Sequence, residues 1–281
     1  MRPAVGSDQI LKFSEGAWEH VPDLLASEEP MEIRLEFGPQ QERQRQAIAV
    51  TMRTPGADFE LAAGFLFTEG IIAHQDEIAS MRYCTDGGRK EDHENMVNVS
   101  LQSEVVPEIG SVVRNFYTTS SCGVCGKGSI ESVRTRCRVV SGTAELNVAA
   151  ETILALPQLL RDQQRVFAYT GGIHACALFD LRGQLLMVRE DVGRHNALDK
   201  LIGAALLNGM IPLDKHLLLL SGRASFELVQ KAAMAGIRFI AAVGAPSDLA
   251  VTTAREFDMT LLGFVRENRF NVYNGEHRLK K

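Results

Sequence analysis

The sequence predicts an α/β protein: a helix-covered mixed sheet in the C-terminal half and a smaller mixed α/β N-terminal half. Two patterns predict it. Before about residue 145 the apolar residues fall in short period-2 alternations, the mark of half-buried strands. After that point strand-length apolar runs alternate with amphipathic helical stretches, an order that yields parallel neighbours with helices on the sheet faces. The expected division is 1–145 and 146–281, the first part ending in a cysteine-bearing loop.

The first stretch, up to about residue 25, lacks periodicity and reads as a loose lead-in. Met31, Ile33, Leu35 and Phe37 alternate with polar residues and predict a strand, as do Ile48, Val50 and Met52. Pro55-Gly56 ends the second as a turn. Asp58 is placed to cap a helix with Leu61, Ala62, Phe65 and Leu66 on one face, and Gly70 to stop it. Cys84 to Glu94 is polar and reads as a loop; Val97, Val99 and Leu101 predict a strand, and Pro107 to Asn115 a short helix.

In the second half Val148 to Arg161 is helical in pattern but interrupted by Pro157. Cys176 to Asp180 and Gln184 to Val188 predict a hairpin around Leu181-Arg182-Gly183. His195 to Asn208 is an amphipathic helix with Leu198, Leu201, Ile202, Ala205 and Leu206 on its apolar face. Strand, helix, strand, helix, strand follow: Leu217 to Leu220, Ser225 to Ala235, Ile237 to Val243, Ser247 to Phe257 and Met259 to Val265. Arg269 to Tyr273 predicts a last strand. Ser221-Gly222-Arg223 and Gly244-Ala245-Pro246 then fall at strand carboxyl ends, where open α/β sheets bind ligands.

Composition narrows the class. The chain has 281 residues, 45% hydrophobic and 23% charged, enough to bury a core without staples. A formal charge of −5 argues against nucleic-acid binding, which needs a basic face. Five cysteines are too few for a disulfide-built fold and suggest reduced thiols in the cytoplasm. No apolar run reaches membrane-spanning length, and the N-terminus lacks a secretory signal pattern.

Cys122-Gly123-Val124-Cys125 is the sharpest chemical feature. A paired zinc site would need a second such pair, and none is present. A dithiol redox centre would need a helix start, whereas this pair lies in a glycine-rich run. A nucleophilic or sulfur-carrying thiol fits best: Lys127 can lower the thiol pKa, and Gly123, Gly126 and Gly128 give the chain freedom to move. Zinc and redox uses remain open on residues alone.

Three further stretches bear polar chemistry. In Thr170-Gly171-Gly172-Ile173-His174-Ala175-Cys176, Cys176 stands where a zinc deaminase needs its Glu, and no Pro-Cys-x-x-Cys follows, so deaminase chemistry is excluded. His174 reads equally well as a hydrogen-bonded histidine beside a Gly-Gly turn. Arg189-Glu190-Asp191-Val192-Gly193-Arg194-His195-Asn196 lies at a strand-to-helix junction and suits an anionic ligand, or a solvated capping loop. Phe264-Val265-Arg266-Glu267-Asn268-Arg269 places two arginines three apart, suited to phosphate or to an exposed edge hairpin. No dinucleotide or P-loop glycine fingerprint is present.

Together TTSSCGVCGK, TGGIHACALF, REDVGRHNALDK, SGRASFELVQKA, GAPSDLAV and TLLGFVRENRFNVY, in that order, closely resemble the formate dehydrogenase accessory sulfurtransferase family (FdhD/NarQ), over about Pro30 to Tyr273. The resemblance implies a cytidine-deaminase-like C-terminal half without deaminase chemistry. It implies a sulfurtransferase that takes a persulfide sulfur from a cysteine desulfurase on Cys122, with Cys125 as companion. The sulfur passes to the molybdenum cofactor, a bis-molybdopterin guanine dinucleotide, needed by the formate dehydrogenase apoenzyme. Phe264, Val265, Arg266, Glu267, Asn268 and Arg269 match the cofactor-binding segment. His174, Arg194 and Arg223 join it on chemical grounds, and His174 or His195 is a candidate proton carrier. A homodimer is expected, with no resident metal. The alternative is a zinc- or dithiol-containing cofactor chaperone without sulfur transfer. Cys84, Cys137 and Cys176 have no assigned role.

Overall fold

The computed structural model describes residues 3–84, 94–109 and 146–280. The lead-in is not loose. Strands β1 (Val5–Ser14) and β2 (Ala17–Ala26) pair antiparallel over ten positions. Ile10-Leu11 and Leu24-Leu25 put apolar residues on both faces, which hides the period. Phe13 and Trp18 meet near the turn with ring centroids 4.8 Å apart.

The N-terminal half holds a four-stranded sheet of β3 (Glu29–Phe37), β4 (Gln44–Arg53), β5 (Ile78–Tyr83) and β6 (Met96–Leu101), in the order β4-β3-β6-β5. Met31, Ile33 and Leu35 are fully buried, as their alternation requires. β4 is a strand, but its inward face changes partway. The register shifts at Ile33/Arg34, so Ile48 and Ala49 are both buried while Val50 and Met52 turn outward. β5 escaped the sequence reading because its side chains are half-buried or exposed.

Helix α1 (Asp58–Thr68) is present, but Asp58 is not its cap. Ala57, at φ 55°, holds that position. Asp58 instead accepts two 3.0 Å hydrogen bonds from buried Arg53 and one from the Tyr83 hydroxyl, whose pKa is pushed up to about 12 by burial and by Asp58. Residues 107–109 are not helical; the rest of the helix expected there lies outside the described residues.

β7 (Val148–Ala149) leads into α2 (Ala150–Arg161), which runs through Pro157 without a break. Buried Ile153, Leu156 and Leu160 anchor it on both sides of the proline. α3 (Arg165–Thr170) follows, unforeseen. The second sheet has the order β13-β12-β11-β10-β8-β9. Its strands are β8 (His174–Asp180), β9 (Leu185–Asp191), β10 (His216–Leu220), β11 (Phe239–Ala242), β12 (Thr260–Arg266) and β13 (Arg269–Asn274). β10, β11 and β12 are parallel, with an antiparallel hairpin at each edge. α4 (Arg194–Leu207), α5 (Phe226–Met234) and α6 (Asp248–Glu256) connect them, Ser247 capping α6 through a 3.2 Å bond from Ala250 N–H. β14 (Leu279–Lys280) returns to pair with β7.

One apolar cluster runs from the four-stranded sheet through α1 and α4 to one face of the larger sheet. A second, with α2, covers the other face. At the centre, Lys231 of α5 donates to Asp199 of α4 and to Thr68 of α1, all three buried, and to Glu69 beside them.

Candidate functional site

The parallel strands β10 and β11 open their carboxyl ends on one edge, and the backbone there is tightly knit. Gly244 N–H donates to Gly222 O at 2.8 Å, Ala224 N–H to Ala245 O at 3.2 Å, and Phe264 N–H to Gly244 O at 3.1 Å. A β-carbon on Gly244 would lie 2.8 Å from Gly222 carbonyl atoms, so only glycine allows this approach. β8 runs antiparallel to β10, which brings its first residue, His174, to the same edge. A β-carbon on Gly222 would lie 3.2 Å from His174 Nδ1.

Helix α4 starts here with Arg194-His195, and α5 follows Ser225 with Glu227 in its first turn. His195 Nε2 lies 3.5 Å from both Ser225 Oγ and Glu227 Oε2. Hydrogen bonding from His195 lowers the Glu227 pKa to about 2 against the opposing effect of burial. Burial lowers the His174 pKa first; Arg194, His195 and Arg223 press it further down, and Asp191 opposes them. The edge is therefore locally cationic on a net acidic chain, the electrostatics an anionic ligand requires. A carboxylate with a depressed folded pKa stabilises above its unfolded pKa and loses that contribution as pH falls through the folded one. Wild-type stability should thus drop between about pH 4.5 and pH 2, and Glu227→Gln should flatten that slope in urea titrations at pH 6 and pH 3.

The structure divides the Arg189–Asn196 stretch. Arg189 pairs with Glu60 of α1 at 2.7 Å, and Glu190 accepts Val166 and Phe167 N–H at 2.9 and 3.0 Å, capping α3. Asp191 is fully buried. It pairs with Lys200 at 2.7 Å and accepts N–H groups of Thr54 and Gly193. Asn196 donates to Met52 O at 2.7 Å. These residues bolt the second sheet to the turn after β4, and the stretch is neither a solvated loop nor wholly a site. Arg194 and His195 alone belong to the cationic cluster.

Phe264 to Arg269 forms the bulged β12–β13 hairpin. Phe264 has φ 53° and a partly exposed ring; Val265 is fully buried in the second apolar cluster. Arg266 Nη1 donates to Val243 O at 2.7 Å, which lays the guanidinium across the carboxyl end of β11. Arg266, Glu267, Asn268 and Arg269 line a shallow recess of about 530 Å³. His174, Arg194 and Arg223 thus come together, and the Gly222–Gly244–Phe264 backbone links them to the hairpin. Ser225 and Glu227 were missed as site residues, since Ser-Phe-Glu reads as an ordinary helix start.

Cys122, Cys125 and Cys137 lie outside the described residues. Cys176 is fully buried and its thiol pKa is raised by that burial, so it is a core residue rather than a nucleophile. Buried Cys84 has Arg34 Nη1 at 3.7 Å from its sulfur.

Comparison with known proteins agrees with the sequence motifs. The chain is 50% identical over 276 residues to a protein of Streptomyces avermitilis, covering 96% of this chain and 94% of that one. It is 52% identical over 262 residues to one of Mycolicibacterium paratuberculosis, covering 92% of each. Both are named Sulfur carrier protein FdhD. The crystal structure of a formate dehydrogenase accessory protein from Desulfotalea psychrophila shares the fold, with a TM-score of 0.74 at 24% identity over 99% of this chain and 100% of that one. The model of the FdhD/NarQ family matches residues 26–280, and the chain belongs to that family.

Proposed function

We propose that the protein is a cytoplasmic sulfur carrier for formate dehydrogenase maturation. It accepts sulfur from a cysteine desulfurase as a persulfide on Cys122 and delivers it to the molybdenum cofactor, a bis-molybdopterin guanine dinucleotide. The observation that carries this reading is the Cys122-Gly-Val-Cys125 segment in a chain of the FdhD/NarQ family whose relatives are named sulfur carriers. Cys122 thiolate attacks the outer sulfur of the desulfurase persulfide. The sulfur–sulfur bond breaks, and the desulfurase cysteine leaves as thiolate. Cys125 is the companion thiol.

The cargo is anionic, and the cationic edge supports a role in holding it. Arg194, Arg223 and Arg266 supply fixed charge for phosphates, and Phe264 with Asn268 offers ring and amide contacts for a guanine. A cytidine-deaminase-like relationship of the second half is supported by the hairpin followed by alternating helices and strands, with β8 antiparallel to a parallel β10-β11-β12 set. Buried Cys176 in place of the deaminase Glu fits a site that binds without deaminating. The functional unit is a homodimer.

Incubation with desulfurase and cysteine should add the mass of one sulfur atom to the intact protein, and Cys122→Ala should abolish the gain. Full formate dehydrogenase activity in cells carrying only Cys122→Ala would refute the carrier role. Arg223→Ala should weaken guanosine diphosphate binding by about 10-fold, read by calorimetry, through loss of one charge-assisted contact; unchanged affinity removes the cationic edge from the site.

A further inference from the structure

The β1–β2 hairpin presents an apolar face to solvent. Residues directly opposite on antiparallel strands share a face. The register therefore groups Leu11 with His20, Phe13 with Trp18, Gln9 with Pro22 and Ser7 with Leu24. That face carries no Asp, Glu, Lys or Arg. The other face pairs Asp8 with Asp23 and Lys12 with Glu19, and is net acidic. Leu11, Phe13 and Trp18 are 53%, 57% and 66% exposed. A lone two-stranded ribbon is marginal in water, and an exposed uncharged apolar face marks a contact surface. At the hairpin root, Ser27 N–H donates to Ala4 O at 2.9 Å and β2 packs on α3. A cavity of about 510 Å³ opens there, lined by Leu25, Ala26, Met52, Val192 and Gly193 among others, with Glu28 as its one charged side chain among the described residues.

We propose that this face joins two copies of the chain, ribbon on ribbon across a twofold axis, with the Phe13–Trp18 tip of each seated in the cavity at the root of the other. The proposal rests on the homodimer reading and names its surface. A twofold contact sets a patch against itself, so like charges in the patch meet and repel. The acidic face fails that condition, and the uncharged face meets it. Tip and cavity lie at opposite ends of strands about 33 Å long, so an antiparallel arrangement fills both cavities at once. The four large apolar side chains of each ribbon offer on the order of 400 Å² per copy; with the rest of the ribbon and the cavity walls, the pair reaches the roughly 1,200 Å² of a small stable interface. A membrane surface is the poorer occupant, because the acidic reverse face is repelled by anionic headgroups. The cavity wall includes Val192-Gly193, immediately before Arg194, so the partner's tip would close one side of the cationic edge.

Trp18 is the single tryptophan of the chain, so its emission reads the contact directly. Sedimentation should show a dimer whose blue-shifted emission moves red on dilution. Phe13→Ser and, separately, Leu11→Ser should weaken dimerisation by at least about 30-fold, while Asp8→Asn on the acidic face should leave it unchanged. Matching melting temperatures for the variant and wild-type monomers keep a folding defect apart from a lost contact. A monomer at every concentration would overturn the homodimer reading together with this surface. A dimer equally tight in both serine variants, with Trp18 emission that of an exposed indole, would overturn the surface alone. Binding to anionic vesicles that Phe13→Ser abolishes, with dimerisation unaltered, would assign the face to a membrane instead.

Discussion

Lys231→Met lowers the unfolding free energy by about 3–5 kcal/mol at pH 7, the cost of leaving a buried counter-charge unpaired. Lys231 Nζ lies 3.0 Å from both Asp199 oxygens, 3.2 Å from Glu69 and 2.8 Å from Thr68 Oγ1, and Thr68 in turn donates to Asp199 at 2.8 Å. Burial disfavours the ammonium, but the two carboxylates outweigh it and raise the Lys231 pKa. Methionine fits the aliphatic stem and removes the charge, so Asp199 is left buried with the Thr68 hydroxyl as a donor but no counter-charge. Its cheapest relief is to bind a proton. A carboxylate whose folded pKa is raised stabilises below its unfolded pKa and loses that contribution as pH rises through the folded value. Burial already raises the Asp199 pKa in the wild type against the pull of Lys231, so the variant, which lacks that pull, should regain more stability than the wild type between pH 7 and pH 5. Adding Asp199→Asn should restore part of the loss at pH 7. Urea midpoints for the three proteins at both pH values test this; a single variant as stable as wild type at pH 7 would show that the pair is a neutral spectator.

This network also shows what sequence reading reaches. The α/β class, the edge hairpins and most strands were legible because burial on one face writes a period into the chain. Helix α4 was legible from its apolar stripe, yet Asp199 and Lys200 sit on it fully buried, because a second helix and the smaller sheet cover what would otherwise be a solvent side. Charged residues there look like a surface until their partners are in place: Thr68 and Lys231 for Asp199, Asp191 and the Thr54 carbonyl for Lys200. The same holds for the candidate site. Arg194 and Arg223 were identifiable as cations near strand ends, but nothing in the linear order separates Arg194 from Arg189, which is committed to Glu60. The β1–β2 hairpin was missed for the opposite reason. With both faces exposed, no burial period exists to be read. Cys122 and Cys125 were legible as chemistry through residue type and glycine context alone.

Gly203→Ala should cost more than 3 kcal/mol despite the roughly 1 kcal/mol that alanine gains over glycine within a helix. α1 and α4 cross at Gly64 and Gly203. A β-carbon on Gly203 would sit 1.8 Å from Glu60 O, and one on Gly64 would sit 1.9 Å from Asp199 O. Both obstacles are backbone, so no rotamer change relieves them and the helices must separate. Separation loosens the apolar cluster between Leu61, Leu66, Leu198 and Leu201 and stretches the Thr68–Asp199 bond. It also shifts the start of α4, so nucleotide affinity at Arg194 should fall along with stability. Because either alanine alone already forces the helices apart, the double variant Gly64→Ala/Gly203→Ala should cost clearly less than the sum of the singles. Gly172→Ala is the matched control: a β-carbon there meets its nearest neighbour at 3.7 Å, an ordinary contact, and its melting temperature should stay near wild type. Additive losses at Gly64 and Gly203 in thermal melts would mean that the two helices accommodate each alanine locally, and that their contact is not the rigid hinge between the two sheets.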